Sequence, residues 1–391
     1  MRSTLKFLLH ILKQLGRILF LVMRIFPIKQ NRIVFNSYMG SGYGDSGKYI
    51  CESLHKKYGD KNIDIVWLVN SKKNANTIPK WIRPVRQKTI ASLYNQCTAK
   101  IWVDNARKRS YVLKRKEQYY IQTWHGGIML KMIEHDAENE LSYDYKKCMQ
   151  ADEKMVDLMM SGSRYTADIY RRAFKYDGEI LQCGTPRNDY FNNIFSHAEI
   201  NKIRKKLSLK EGQKILLYAP TFRTNYEHNP YDLDYDKIRK TLNNSSNSEW
   251  VILIRMHPAV KKNEYSVQEN AYIKDVTNYP DMQELELLSD MVITDYSSVM
   301  FDYLQMNKPA LLYVHDLNNY LEQNRKLYFN FKNLPFYVFE RADDLTAFLG
   351  NPDFSDMNKK YSAFKKQIGL SETGHASEKI ADIIVDKLVL K

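Results

Sequence analysis

The sequence is poor in cysteine, with only four in 391 residues. The four are widely spaced and form no CxxC pair, which argues against a disulfide framework and against a zinc site. A reducing compartment is therefore favoured. No motif indicates a metal or cofactor site, and neither is predicted. The cysteines are Cys51, Cys97, Cys148 and Cys183.

Long hydrophobic runs are also missing. Near the N-terminus the longest uninterrupted run, from Ile18 to Met23, is too short to span a bilayer, and no small-residue cleavage site follows it to indicate a signal peptide. Residues 1–28 are apolar with cations every three to four positions, a pattern typical of an amphipathic helix lying among lipid headgroups. The alternative is an ordinary helix packed on the protein body. The cations are Lys6, His10, Lys13, Arg17 and Arg24.

The charge is unbalanced, with 59 Lys and Arg against 45 Asp and Glu and a net charge of +14. This balance indicates an anionic partner, such as a nucleotide, a phosphorylated substrate, a membrane surface or a nucleic acid. Because the cations are spread along the chain and most aromatic residues lie in strand-like runs, no platform for stacking bases is evident. A nucleic acid is therefore not predicted as a partner.

The order of the predicted elements is that of an α/β protein. Short apolar strands alternate with helices in two halves, and the chain is long enough for two hydrophobic cores. This alternation predicts two doubly wound, Rossmann-like domains facing each other across a cleft. We expect an N-terminal domain over 29–195, a C-terminal domain over 196–375 and a last helix over 376–391.

In the N-terminal half, His125 ends a predicted strand and is followed by Gly126 and Gly127. A side chain at the carboxyl end of a strand lies where open α/β sheets bind ligands, and two glycines let a substrate approach. A lone histidine is more often structural, but this setting favours a catalytic one. Upstream, GxGxxG occurs as Gly42, Gly44 and Gly47 without the acidic residue of a dinucleotide site.

A basic run, from Arg107 to Lys116, carries six cations in ten residues. Such runs are usually solvated loops. A second membrane contact and a clamp for an anionic lipid headgroup are the alternatives.

In the C-terminal half, polar residues follow three predicted strands and are expected to converge on one crevice. They are Thr221 and Arg223, Arg255 and His257, and Asp295 with Ser297 and Ser298. The last group joins a strand to a helix, where free N–H groups and two hydroxyls favour a phosphate. Asp and Ser are also the preferred residues for capping a helix, so a simple N-cap is the alternative.

Five motifs in this order resemble the CDP-glycerol glycerophosphotransferase family, peripheral membrane enzymes that add or polymerise glycerol phosphate in bacterial teichoic acids and related capsular polymers. The resemblance covers residues 30 to 375 and implies a GT-B-like fold whose C-terminal half binds the donor. It implies that an acceptor hydroxyl attacks the β-phosphorus of CDP-glycerol and that CMP leaves. The motifs are QTWHG (122–126), CGTPRND (183–189), YAPTFR (218–223), RMHP (255–258) and TDYSSVMFDY (294–303).

The resemblance also implies roles for individual residues. His125 would be the general base, and a second catalytic histidine, His257, would contact the donor diphosphate. Ser297 and Ser298 would bind the same diphosphate without a metal. The acceptor side would include Gly126, Gly127 and Lys131. Further expected donor-binding residues are Thr221, Arg223, Arg255, Asp295, Asp302, Gly184, Arg187 and Asn188.

One departure affects the acceptor. The family often reads WHGTPLK, whereas this chain has one residue more between Trp124 and Lys131. The unit transferred is therefore open between glycerol phosphate and ribitol phosphate from CDP-ribitol, and the acceptor between an undecaprenyl-diphosphate-linked saccharide and a polyol phosphate. The sequence is also compatible with a GT-B glycosyltransferase that uses a nucleotide sugar, and with a non-catalytic binder of anionic lipid or nucleic acid. The expected location is the cytoplasmic face of the membrane.

Overall fold

A computed structural model describes residues 11, 14–59, 61–193, 195–223, 233–257, 260, 265–323 and 326–390. The chain divides into two compact units. The first unit contains Met1–His125, Glu134–Tyr190 and Ser371–Lys391, and the second contains Gly126–Ile133 and Phe191–Leu370.

The first unit is built on a seven-stranded parallel sheet in the order β3-β2-β1-β4-β5-β6-β7. Its central strands are almost continuous apolar runs, as expected for a parallel sheet covered on both faces. The strand order reverses between β1 and β4. The strands are β1 (Lys29–Asn36), β2 (Asp64–Val69), β3 (Arg83–Arg86), β4 (Ala99–Asp104), β5 (Tyr119–Gln122), β6 (Leu158–Ser161) and β7 (Glu179–Gln182).

Helices cover both faces of this sheet. On one face Ile50 and Leu54 share a core with Ile380 and Ile384, and on the other Phe20 packs with a separate core. The helices are α1 (14–22), α2 (Asp45–Tyr58), α3 (Lys72–Ala75), α4 (Ile90–Thr98), α5 (Tyr143–Asp152), α6 (Arg164–Ala173) and α14 (Ala376–Lys387).

The second unit has a six-stranded parallel sheet in the order β10-β9-β8-β11-β12-β13, so the predicted α/β class with two parallel sheets is confirmed. Its strand order reverses between β8 and β11. The strands are β8 (Lys214–Ala219), β9 (Trp250–Ile254), β10 (Ile273–Asp275), β11 (Met291–Thr294), β12 (Ala310–Tyr313) and β13 (Tyr337–Phe339). The helices are α7 (His197–Lys206), α8 (Tyr235–Ser246), α9 (Met282–Leu288), α10 (Val299–Gln305), α11 (Leu317–Gln323), α12 (Ala342–Gly350) and α13 (Met357–Ile368).

The division of the chain differs from the expected one in two places. Residues 126–133 were expected in the N-terminal domain, but they belong to the second unit because they pair with residues 326–328. Lys131 forms an antiparallel bridge with Leu327 there. The last residues, from Ser371, return to the first unit, where α14 packs against its sheet.

The start of the described chain is helical, and α1 rests on the first unit through Phe20, which is fully buried. Its other apolar side chains are exposed, among them Leu15, Ile18 and Val22. Residues 1–10, 12 and 13 of the expected N-terminal helix lie outside the described residues. Within the described chain, no helix is both long and apolar enough to cross a membrane.

The basic run is mostly not a solvated loop. Lys108 is buried beside Asp104, with 3.0 Å between Nζ and Oδ2, and Lys114 pairs with Asp157. Arg115 donates to the backbone carbonyls of Arg24 and Phe26, so it holds the end of the N-terminal segment. Of the cations in this run, Arg109 and Lys116 are exposed.

Arg107 is the best-buried cation of the run. Its side chain is 1% exposed and lies 2.6 Å from Glu134 and 3.0 Å from Asp152. Burial favours the neutral form of Arg107, but the two carboxylates more than offset this and raise its pKa. Burial also raises the pKa of Asp152, and Arg107 opposes that effect. The group is therefore stable only with all its partners present.

We predict that Asp152→Asn lowers the free energy of unfolding by about 3 kcal/mol, because it leaves Arg107 buried with one carboxylate. Denaturant unfolding measures this change. Asp382→Asn is the matched control, since Asp382 pairs with Lys57 at the surface and its loss should leave the midpoint unchanged. Equal effects of the two substitutions would contradict the prediction.

Candidate functional site

In the second unit, polar side chains meet where β8 and β11 end, which is the point of strand reversal. The carboxylate of Asp295 accepts the backbone N–H of Thr221 at 2.9 Å and its hydroxyl at 2.9 Å. This pairing joins the loops after β8 and β11. The expected convergence of Thr221 and Asp295 at one sheet edge is thus present, at the position where doubly wound sheets bind ligands.

Arg223 extends this cluster to the loop after β12. Its Nη2 lies 2.7 Å from Asp295, and its Nε donates to Asp316 at 2.8 Å. Nη1 donates to the carbonyl and hydroxyl oxygens of Thr221. The guanidinium also lies over the ring of Tyr296, 4.7 Å from its centroid. Arg223 therefore ties three neighbouring loops into one rigid group.

The charge of Arg223 is already compensated. Burial alone would lower its pKa, but Asp295 and Asp316 together raise it, so it is always a cation. Two carboxylates face this one guanidinium, and its donors are directed at protein oxygens. Binding of the donor diphosphate by Arg223 stays a prediction, and the contacts instead give Arg223 a bracing role.

His257 and Lys131 lie at the same edge. His257 follows β9 and is exposed, with its ring centroid 6.1 Å from that of Phe222. Desolvation by surrounding protein lowers the pKa of His257, and the ammonium of Lys131 lowers it further, while Asp295 opposes both. These effects together favour the neutral form of His257. Lys131, expected on the acceptor side, thus lies with the cluster that was expected to bind the donor.

Two other expected donor residues are turned toward the protein. Arg255 donates from Nη1 to the carbonyl oxygens of Val276 at 3.2 Å and Tyr279 at 2.6 Å. Asp302 lies within α10 and is 3% exposed. Contact of either side chain with a donor stays a prediction.

The hydroxyls of Ser297 and Ser298 are half-buried at the start of α10. Ser298 is the N-cap residue by position, yet its side chain makes no capping hydrogen bond. Ser297 Oγ accepts the N–H of Val299 only at 3.4 Å. The simple capping interpretation therefore does not account for the two serines.

In the first unit, His125 is exposed and follows β5, as expected from the sequence. Its Nδ1 lies 2.7 Å from the backbone carbonyl of Asn105. Because a carbonyl oxygen only accepts, Nδ1 carries the proton and Nε2 of the neutral ring is the proton acceptor. Trp124 and Tyr38 flank the ring, with centroids 4.3 Å and 6.0 Å away.

A buried amide holds the Asn105 loop. Asn105 accepts the backbone N–H of Tyr38 at 2.8 Å and donates to Asp45 at 2.5 Å. Asp45 in turn lies 3.5 Å from Arg187. Tyr38, Asp45 and Trp124 all have positive φ angles, of 44°, 58° and 52°. Strained backbone of this kind persists where the surrounding structure enforces it, typically around functional groups.

Three further residues expected to bind the donor lie in the first unit. Arg187 is buried against Asp45, and Asn188 donates to Glu372 at 3.2 Å. Gly184 has a φ of 105°, and a Cβ there would lie 3.0 Å from Glu372. Gly184 and Asn188 therefore lie against the returning C-terminal segment, and donor binding by Gly184, Arg187 and Asn188 stays a prediction.

The sequence interpretation did not single out several residues of these clusters. Asp316 follows β12, so the rule that polar residues after parallel strands converge would have found it. Asn105 follows β4 in the same way. Tyr320, stacked on Tyr296 with centroids 3.7 Å apart, carries no such signal because it lies within a helix. Glu372 reaches its partners only because the C-terminal segment returns to the first unit.

Comparisons with known proteins identify the family of the chain. The model of the family described as CDP-Glycerol:Poly(glycerophosphate) glycerophosphotransferase matches residues 18–386. The teichoic acid poly(glycerol phosphate) polymerase of Bacillus spizizenii is 27% identical over 379 residues, 95% of this chain and 96% of that protein. The Staphylococcus epidermidis polymerase is 34% identical over 91% of this chain, which spans only 51% of that protein.

Among solved structures, a histidine-to-asparagine variant of the wall teichoic acid polymerase TagF, soaked with CDPG, has a TM-score of 0.83. Its sequence identity is 30%, and the match covers 99% of this chain and 96% of that chain.

We predict that Ser298→Ala changes the free energy of unfolding by less than about 0.5 kcal/mol, because the hydroxyl caps nothing. Ser163→Ala is the matched control. Ser163 Oγ accepts the N–H of Thr166 at 3.1 Å, and its loss should cost about 1 kcal/mol. Denaturant unfolding of both variants tests this, and a loss at Ser298 as large as at Ser163 would restore the capping interpretation.

Proposed function

Because the chain belongs to the CDP-glycerol:poly(glycerophosphate) glycerophosphotransferase family, we propose that it transfers glycerol phosphate from CDP-glycerol to a hydroxyl group of a membrane-linked acceptor. Glycerol phosphate transfer in teichoic acid synthesis is the reaction of this family, and the chain is a transferase of that kind. The acceptor and the membrane are the parts of the proposal that go beyond it.

The contact between His125 Nδ1 and the Asn105 carbonyl is the observation that carries the mechanism. It makes Nε2 the atom that takes the proton of the acceptor hydroxyl. The acceptor oxygen then forms a bond to the β-phosphorus of CDP-glycerol, while the bond from that phosphorus to the oxygen bridging it to CMP breaks. The electron pair of that bond leaves with CMP.

The donor diphosphate is assigned to the edge of the second sheet. Phosphoryl transfer depends mainly on positioning and on donors and positive charge around the phosphate oxygens. Lys131 supplies an ammonium group, neutral His257 a ring N–H, and Ser297 and Ser298 two hydroxyls. Arg223 holds the loops that present them. The proposal includes no metal. It assigns one substrate to each unit, as in a GT-B-like enzyme.

The membrane is assigned to helix α1. Leu15, Ile18 and Val22 recur at helical spacing and are 50%, 56% and 50% exposed, while Phe20 on the opposite side is buried. A contiguous exposed apolar face of this kind is typical of a surface that contacts a membrane. The anchor at Phe20 leaves this face available, and we expect a peripheral protein that meets its acceptor at the lipid surface.

We predict that the wild-type protein, mixed with membranes and CDP-glycerol, releases CMP. His125→Ala should lower kcat by a factor of about 100 to 10,000 because it removes the base.

The double variant Ser297→Ala, Ser298→Ala should raise KM for CDP-glycerol about tenfold through lost hydrogen bonds to phosphate. His375→Ala is the control, since His375 is 68% exposed in the first unit.

Parallel reactions with CDP-ribitol and UDP-glucose identify the donor class. Faster release of CMP from CDP-ribitol would replace glycerol by ribitol, and turnover of UDP-glucose alone would indicate a glycosyltransferase. If neither CDP-polyol yields CMP, the proposed function is wrong.

We predict that Leu15→Ser, Ile18→Ser and Val22→Ser together weaken binding to phosphatidylglycerol vesicles on the order of 100-fold, at about 1 kcal/mol for each side chain. Phe20 is kept so that the helix stays in place. The control replaces exposed apolar residues elsewhere in the first unit, namely Ile90, Tyr143 and Val389, by serine. Sedimentation with vesicles measures both, and equal binding of the two variants would exclude α1 as the membrane contact.

A further inference from the structure

The first unit contains a cavity that the mechanism above does not use. It opens at the carboxyl edge of the sheet and has a volume of about 40 Å³. Asn36 and Asp104, the last residues of β1 and β4, lie in its wall, and Gln87 follows β3. The strand order reverses between β1 and β4, so the cavity lies at the topological switch point, where doubly wound sheets bind ligands.

The wall of the cavity is built from buried ion pairs. Asp104 accepts from Asn36 at 2.9 Å and from Lys108 at 3.0 Å, and Arg107 is held by the carboxylates described above. Gln87 donates to Asn36 at 2.6 Å. These contacts fix the wall before any ligand arrives, and they satisfy the carboxylate of Asp104 internally.

The rim carries charge that the wall does not compensate. Lys88 and Arg109 line the cavity and are exposed, and neither forms an ion pair with another residue in the described part of the chain. Lys88 has a φ of 58°, a strained conformation for a residue with a side chain. It precedes the capping box of α4, and Gln87 is fixed by its hydrogen bonds, so the backbone holds Lys88 at the rim.

We propose that this cavity binds a phosphate group of the acceptor. Four cations and one carboxylate line it, and the carboxylates paired with Arg107 still leave a net positive charge. Two cationic side chains at the rim with amide groups beneath them match the charge and hydrogen-bonding needs of a phosphate oxyanion. The ligand class is thus a phosphate ester or diphosphate. The assignment to the acceptor rests on the function proposed above.

The surroundings of the cavity favour the acceptor over the donor. Met39 lines the cavity, and the preceding residue, Tyr38, packs against His125 with ring centroids 6.0 Å apart. Tyr111, on another wall, contacts α1: its ring lies 3.6 Å from the position of a Cβ at Gly16. The cavity is therefore next to both the proposed base and the proposed membrane helix, where the phosphates of a lipid-linked acceptor would lie.

The test replaces the two rim cations, as Lys88→Gln with Arg109→Gln. Binding of radiolabelled glycerol 3-phosphate is measured by equilibrium dialysis with excess CMP present and no CDP-glycerol. We expect the affinity to fall at least tenfold, and KM for the membrane-linked acceptor to rise by a similar factor. The control, Lys56→Gln with Lys61→Gln, makes the same charge change at exposed positions around the end of α2 and should match the wild type.

The variant Lys88→Gly distinguishes the effect of losing the cation from an effect on folding. It removes the same cation but relieves the positive φ angle, so it should lose glycerol 3-phosphate binding while keeping or raising the stability of the protein. Retained affinity in Lys88→Gly and in the double variant would overturn the proposal.

Binding to vesicles distinguishes a phosphate of the acceptor from the phosphate of a lipid headgroup. We expect phosphatidylglycerol vesicles to bind the double variant and its control equally. If the double variant instead loses vesicle binding and keeps glycerol 3-phosphate, the cavity holds a lipid headgroup and the acceptor assignment is wrong. Equilibrium dialysis measures binding without any transfer reaction, so the two proposals can fail separately. If the wild-type protein releases no CMP but binds glycerol 3-phosphate in a way that depends on Lys88, the proposed function is wrong and the phosphate site remains.

Discussion

The parallel direction of every strand in the two sheets is the constraint on which both sites depend. It brings all carboxyl ends of a sheet to one edge, and the reversal of strand order opens a gap at that edge. In the second unit the gap between β8 and β11 is bridged by Asp295 and Arg223, and in the first unit the gap between β1 and β4 is bridged by Asn36 and Asp104. The two edges therefore share one geometry, while different side chains bridge the gap in each.

The loops around His125, which follow parallel strands, also contain strained backbone. The Nδ1 proton of His125 can reach the backbone carbonyl of Asn105 only if the loop that carries this carbonyl has one conformation. The side chain of Asn105 fixes that conformation through its hydrogen bonds with Tyr38 and Asp45. The positive φ angles of Tyr38, Asp45 and Trp124 are the cost of that arrangement. Buried hydrogen bonds to a carboxylate are strong enough to hold such strained residues, because their loss leaves polar groups unsatisfied.

Much of the fold and part of the site could be predicted from the sequence. Strand periodicity indicated both sheets, and polar residues after strands located Thr221, Asp295 and His125. The division into units could not be predicted in full, because residues 126–133 change unit through pairing with residues distant in the sequence. For the same reason the sequence could not indicate that Thr185 and Asn188 bind Glu372 of the returning C-terminal segment.

Charge compensation separates the structural cations from those that can attract a ligand. Arg107 belongs to the basic run and Arg223 to the YAPTFR motif, yet each is buried between two carboxylates and has little positive charge left for a ligand. Lys88 and Arg109 instead stand exposed at a sheet edge, where no carboxylate of the described residues pairs with them. An anionic substrate responds to the uncompensated charge, since paired and desolvated cations mainly hold loops together. The net charge of +14 therefore indicates a ligand site less clearly than the position of individual exposed cations does.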